Sequence, residues 1–188
     1  MTKLNLGCGN NKIKGYINID KYDRYTPDVV MDLEKSTWNI KKNSVEKIIM
    51  NFTLEQLGQQ PNTFFNIIKE LYRVSINGAI IEINVVHPGH KNFRNDPRNV
   101  RPITPETLAM FSKNNSYECD ILKIDNELAH ILDVNFEIIN NIYVPDYESI
   151  KQLRAIDIVI TDAQIVKYSN VIPNIIKEIK MKLKVIKD

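Results

Sequence analysis

The segment Leu4-Asn5-Leu6-Gly7-Cys8-Gly9-Asn10-Asn11 carries an apolar stretch into a turn with glycines at positions 7 and 9. A turn of this kind can take positive φ and bring free backbone N–H groups against a ligand with no Cβ in the way. Asp20 ends the next apolar stretch, and Asp32 stands near the end of the one after it. In a sheet of parallel strands a ligand lies beyond the carboxyl ends of the strands. There Asp20 can accept from both hydroxyls of a ribose, and Asp32 can accept from an adenine amino group. Either acid alone reads as a surface or capping carboxylate. Both together, after a Gly-x-Gly turn, point to a nucleoside site. A dinucleotide is the competing ligand. Its motif is G-x-G-x-x-G with an acid about 20 residues on. Here Lys12 stands in the third-glycine position and the first acid comes sooner, at Asp20. A pyrophosphate must pack closely on the helix start, so this reading ranks lower.

A second group of residues could act on a second molecule. His87 and His90 follow the apolar run 79–86. If a hydroxyl is to be deprotonated, an imidazole near neutral pKa is a suitable base. His87 is the candidate, His90 reads as an exposed loop residue, and His130 as structural. Arg94, Arg98 and Arg101 can hold an anionic group, since guanidinium matches carboxylate and phosphate. The alternative for each is a surface salt bridge, worth little. We find no metal-ligand spacing and no nucleophilic serine elbow. Cys8 and Cys119 are far apart, which fits a reducing compartment better than a disulfide framework.

These residues need a frame. Lys3–Leu6, Tyr16–Ile19, Val29–Leu33 and Val45–Met50 read as short strands. Asn62–Val74 places Phe64, Phe65, Ile68, Leu71 and Tyr72 at helical spacing, with Asn77-Gly78 closing the helix. Ala79–Val86 is nearly all apolar, as in a central parallel strand. The polar stretch His87–Pro105 holds Pro88, Pro97, Pro102 and Pro105 and reads as a long ordered loop. Thr104-Pro105-Glu106 opens a helix, with Thr104 as N-cap. Phe136–Val144 is another strand, and Arg154–Ser169 could be helical. In the tail, Ile179, Met181, Leu183 and Val185 alternate with lysines, the period of a strand with one wet face, although a helical stripe also fits.

The chain of 188 residues suits a single domain, 1–188. Its formal net charge of +2 asks for no nucleic-acid partner. No apolar run approaches the roughly 20 residues of a membrane span, and nothing at the N-terminus reads as an export signal. A cytoplasmic location is the expectation, and assembly into a homo-oligomer is compatible with it.

Leu4–Asn11, Gly15-Tyr16-Ile17-Asn18-Ile19-Asp20 and Val30-Met31-Asp32-Leu33-Glu34 resemble the opening of class I S-adenosylmethionine-dependent methyltransferases. The segment Val45–Leu57 resembles that family's fourth motif, and Asn77-Gly78 with the following strand resembles its approach to the fifth strand. The resemblance implies a doubly wound, mostly parallel α/β sheet of seven strands with an antiparallel last strand. It implies that S-adenosyl-L-methionine binds at the loop Leu6-Gly7-Cys8-Gly9-Asn10, with Gly7 and Gly9 against its amino-acid part. It further implies Asp20 on the ribose, Lys21 beside the adenine, and Asp32 and the Leu33 backbone on the adenine edge. Asn51 and Phe52 would lie near the methionine moiety, although Phe52 could equally pack in the core. The implied activity is methyl transfer to oxygen or nitrogen of a small acceptor such as a sugar or metabolite, with His87 and Arg101 as the catalytic candidates. Two departures favour an alternative, a donor-binding regulatory or partner protein without catalysis. Gln56 stands where many relatives have histidine in Glu-His-Leu. Asn99 replaces the histidine of an Asp-Pro-x-His-x-Arg loop that Asp96–Arg101 otherwise resembles. The Asn-Pro-Pro-aromatic motif of amino-group or base methylation does not occur in the chain.

Overall fold

The computed structural model describes residues 1–114 and 127–187; Cys119 lies outside them. The strands are β1 (Thr2–Leu6), β2 (Ile17–Asp20), β3 (Val29–Val30), β4 (Val45–Asn51), β5 (Ser75–Val86), β6 (Phe136–Pro145) and β7 (Ile176–Val185). They form one sheet in the order β3-β2-β1-β4-β5-β7-β6. β7 runs antiparallel to both β5 and β6, and the pairs from β3 to β5 are parallel. This is the doubly wound, mostly parallel seven-stranded sheet expected. Its order reverses between β1 and β4, so the crevice lies beyond the carboxyl ends of those two strands.

Alternation places Ile48 and Met50 of β4, Ile81, Ile83 and Val85 of β5, and Ile179, Met181, Leu183 and Val185 of β7 in one core. Helix α1 (Pro61–Val74) lays Phe64, Ile67, Ile68, Leu71 and Val74 into the same core, an i, i+3, i+4, i+7 stripe. Each such side chain contributes roughly 1.5–3 kcal/mol on burial. The opposite face of β4, β5 and β7 is polar, with Glu82 bridging Lys47 at 3.2 Å and Lys182 at 3.1 Å. The tail is therefore a strand with one wet face, and its lysines are that face.

Several boundaries differ from the sequence expectation. β3 stops at Val30, because Met31 and Asp32 turn toward β2, with Met31 N–H donating to Asp20 O at 2.9 Å. Asn77-Gly78 does not close α1. The helix ends at Val74, where the Ser75 hydroxyl donates to Leu71 O at 2.7 Å, and β5 starts at once. Gly78, at φ +78°, sits in the irregular stretch of β5 where the pairing with β4 slips. The Asn77 side chain accepts from Lys187 N–H instead. The polar stretch after β5 contains a short helix, α2 (Lys91–Asn95), before α3 (Pro105–Ala109), which Thr104 caps as expected. After α4 (Glu127–Leu132) comes α5 (Tyr147–Arg154), and of the stretch Arg154–Ser169 that could be helical only α6 (Asp162–Tyr168) is a helix beyond the end of α5. Asp157 at φ +62° breaks them, and Thr161 with Gln164 forms a capping box that restarts the second.

Candidate functional site

At the ends of β1, β2 and β4 the chain leaves a cavity of about 490 Å³. Its floor is the turn Gly7-Cys8-Gly9, which leaves β1 in the left-handed region, with φ +67° at Gly7 and +48° at Gly9. Cys8 N–H donates to Ile19 O at 3.0 Å and pins the turn to β2. The Cys8 thiol is buried, and that burial raises its pKa, so it is a protonated wall and no nucleophile.

Asp20 organises this end. It is only 7% exposed, yet lines the cavity. One carboxylate oxygen accepts from Gly9 N–H at 2.9 Å and the other from Tyr22 N–H at 2.9 Å. Each oxygen keeps a further lone pair, so the group still has capacity for a ligand hydroxyl. Asn18, one turn of the pleat earlier, is clamped by Asp28, whose carboxylate takes both the Asn18 N–H at 2.7 Å and the side-chain amide at 2.8 Å. Those bonds hold the Asp28 carboxyl below its ordinary pKa.

Asp32 lines the far side, with Oδ1 accepting from Glu34 N–H at 3.0 Å. Leu33 also lines the cavity while its carbonyl takes Trp38 Nε1–H at 3.1 Å. The third wall is Asn51-Phe52-Thr53. Phe52 is not a core residue: it sits at φ +51° with 42% of its surface exposed and its ring on the cavity. A non-glycine residue held in the left-handed region is the kind of strain that marks a site. Its N–H is bonded to Asn84 O at 2.7 Å, and the Asn51 and Asn84 side chains are joined, so the wall is braced from β5.

Of the residues predicted for the cofactor, Gly7, Cys8, Gly9, Asp20, Lys21, Asp32, Leu33, Asn51 and Phe52 converge on this cavity. Leu6 is fully buried beneath it and Asn10 is exposed beside it; neither lines it. His87 and Arg101 do not line it either. His87 Nδ1 accepts from Gly89 N–H at 3.1 Å, and burial, then nearby His90, lowers its pKa. Arg101 donates two bonds to Gly58 O, at 2.6 and 3.2 Å, and its guanidinium lies 4.3 Å from the Phe64 ring centroid. His90 is not the exposed loop residue expected. It is 2% exposed, caps α2 through Nδ1, and donates from Nε2 to Asp146 at 3.0 Å. His130 is exposed on α4.

The sequence does not single out the cavity's aromatic and cationic rim, Tyr22, Arg24 and Tyr25; Arg98, an anion candidate by residue type, reaches the same rim from the loop after β5. The pattern Lys21-Tyr22-Asp23-Arg24-Tyr25, directly after a strand-end aspartate, was the available signal. Asn11, Met31, Gln56 and Leu57 complete the lining.

No protein-family model matches the sequence, and no curated protein matches it. Solved structures do match over the whole length. One is an S-adenosylmethionine-dependent methyltransferase from Archaeoglobus fulgidus, 16% identical, with 97% of this chain and 85% of that chain covered at a TM-score of 0.60. Another is the 1,6-didemethyltoxoflavin-N1-methyltransferase of Burkholderia thailandensis, solved with 1,6-didemethyltoxoflavin and S-adenosylhomocysteine. It is 11% identical, with 99% and 71% covered at a TM-score of 0.53. A third is the [4+2]-cyclase SpnF, 14% identical, with 100% and 76% covered at 0.58. The chain has the fold of the class I S-adenosylmethionine-dependent methyltransferases. Among the described residues no helix is long and apolar enough to cross a membrane.

Proposed function

We propose that this chain binds S-adenosylmethionine in the cavity and transfers its methyl group to oxygen or nitrogen of a small-molecule acceptor. The observation that carries the reading is Asp20: a buried carboxylate at the end of β2 that fixes the glycine turn and still faces the cavity. Asp20 holds the ribose hydroxyls, Asp32 and Leu33 the adenine edge, and Gly7, Gly9, Asn51 and Phe52 the amino-acid end. An ideal Cβ at Gly9 meets nothing within 4 Å, so the turn leaves room there for a ligand. The cofactor supplies a methyl group on a sulfonium, and the protein's part is to orient the acceptor for in-line displacement. His87 and Arg101 do not line the cavity, so in this proposal they act as positioning residues for the acceptor side, His87 through Gly89 N–H and Arg101 through Gly58 O. Alanine at either then lowers turnover more than donor affinity.

Calorimetry with S-adenosylmethionine, S-adenosylhomocysteine and NAD tests the donor assignment. Micromolar-range binding of the first two is expected, with none comparable for NAD. Tight NAD binding without donor binding would overturn it. Asp20→Asn is expected to weaken donor binding at least about tenfold, because its amide must present a second donor to Gly9 or Tyr22 N–H and loses the charge. Unchanged affinity would remove Asp20 from the site.

Gln56 and Asn99, where related sequences carry histidine, favour a second reading: donor binding without methyl transfer. A chain of this fold need not transfer methyl groups, and the similar SpnF is a [4+2]-cyclase. Screening sugar, nucleotide-sugar and phenolic pools for donor-dependent gain of one methyl mass separates the two.

A further inference from the structure

The rim of the cavity carries more positive charge than the proposed donor can use. Lys21, Arg24 and Arg98 all line it. The reacting end of S-adenosylmethionine is itself a cation, so guanidinium groups on the same cavity oppose the donor and suit something negative. Arg24 is held ready for that role. Its guanidinium lies 4.8 Å from the ring centroids of both Tyr22 and Tyr25, and Nη2 donates to Tyr25 Oη at 2.9 Å. Stacking on two rings fixes the planar fork without neutralising it. Among the described residues no carboxylate is paired with Arg24.

Arg98 comes from the other side, on the loop after α2. Asp96 orients it, accepting from Nε at 2.9 Å and from Nη2 at 2.6 Å. The edge bearing Nη1 is left for another partner, and the side chain is 70% exposed. Arg98 lines the same cavity as Tyr22, Arg24 and Tyr25, so the two arginines share one rim.

We propose that Arg24 and Arg98 form an anion clamp and that the acceptor carries a carboxylate or phosphate group, which they bind while its nucleophile faces the donor. This rests on the donor reading above and adds the acceptor's chemical class. The clamp uses the Arg24 donors that Tyr25 leaves open and the Nη1 edge of Arg98.

The test uses inorganic phosphate and benzoate as probes, titrated by ligand-observed NMR into the full chain saturated with S-adenosylhomocysteine. Saturable binding of at least one probe in the millimolar range or tighter is expected, weakening as salt rises. Arg24→Gln and Arg98→Gln should each weaken it about tenfold, while Lys180→Gln on the polar sheet face leaves it unchanged. The affinity of both variants for S-adenosylhomocysteine should stay within about threefold of the parent. No saturable probe binding overturns the clamp, and so does equal binding by the arginine variants. A parallel loss of S-adenosylhomocysteine affinity would assign the arginines to the donor's own carboxylate and also overturn it. If S-adenosylhomocysteine does not bind the parent protein, the donor reading has failed first, and the clamp falls with it.

Discussion

Gly7→Val is expected to destabilise the fold by about 4 kcal/mol, a large part of the roughly 5–15 kcal/mol that holds a domain of this size. The reason is internal packing. An ideal Cβ at Gly7 would lie 2.4 Å from both Cγ2 and Oγ1 of Thr53. Thr53 cannot step aside easily. It is buried, and its hydroxyl donates to Asn51 O at 2.9 Å, with Leu6 O and Gly7 O also within reach. Gly7 also sits at φ +67°, where a β-branched residue is strained. The glycine therefore lets β1 and β4 close together beneath the cavity. Urea denaturation should show the loss, and Gly7→Ala combined with Thr53→Ala should recover part of it relative to Gly7→Ala alone. If the double variant is no more stable, the strain lies in φ and not in the contact. Position 9 is where ligand space can be probed. Gly9→Ala adds a methyl that meets no protein atom, at a backbone cost of about 1–2 kcal/mol, so the chain should stay folded and lose donor binding. Normal donor affinity in that variant would place the ligand elsewhere.

The cofactor side of the site was legible because its parts are local and patterned. A strand, a Gly-x-Gly turn and a carboxylate at each of the next strand ends fall within Leu4–Asp32, and parallel pairing of β1, β2 and β3 brings them together. The tail was legible as a strand for a similar reason. Strict alternation from Ile179 to Val185 is the period of a strand, and β5 pairs with Glu178 to Lys184. What stayed hidden depends on contacts distant in sequence. The burial of His90 comes from Asp146, 56 residues away, and no local pattern announces such a partner. Arg101 is an anion or salt-bridge candidate by sequence, yet Gly58 O and the Phe64 ring of α1 claim its guanidinium. Phe52 was ambiguous because apolar type suggests the core, while its left-handed backbone turns the ring to the cavity. The clamp residues were hidden differently. Arg98 is an anion candidate by residue type, but nothing in the sequence joins it to Arg24, and only the fold brings both to one cavity.

Stability should fall as pH rises from about 4.5 to about 7, by up to about 3 kcal/mol, through Glu55 alone. Glu55 is fully buried in the turn after β4. Its Oε1 accepts from Val86 N–H at 3.1 Å, and its carbonyl accepts from Val100 N–H at 2.9 Å and Arg101 N–H at 3.1 Å. It thus ties the end of β5 and the Asp96–Arg101 loop to one point. Oε2 is buried with no protein partner, as is Oδ1 of Asn99 in that loop. Burial raises the carboxyl pKa from 4.5 to about 7, and nearby Asp96 pushes the same way against the backbone bonds that oppose it. Within that window the folded chain retains a proton that the unfolded chain has released, so the proton favours the fold only at the acid end. His87 works in the opposite direction. Its lowered pKa means the folded state holds fewer protons than the unfolded one just below 6.5, so its contribution grows as pH rises through that range. The bare profile therefore mixes both, and the comparison with Glu55→Gln isolates the carboxyl. The variant is neutral at every pH and keeps the acceptor for Val86 N–H. Urea midpoints for parent and variant should differ least near pH 4.5 and most at pH 8, with glutamine the more stable at the alkaline end. Parallel profiles across that range would mean that Glu55 is ionised in the fold and that its second oxygen has found a donor.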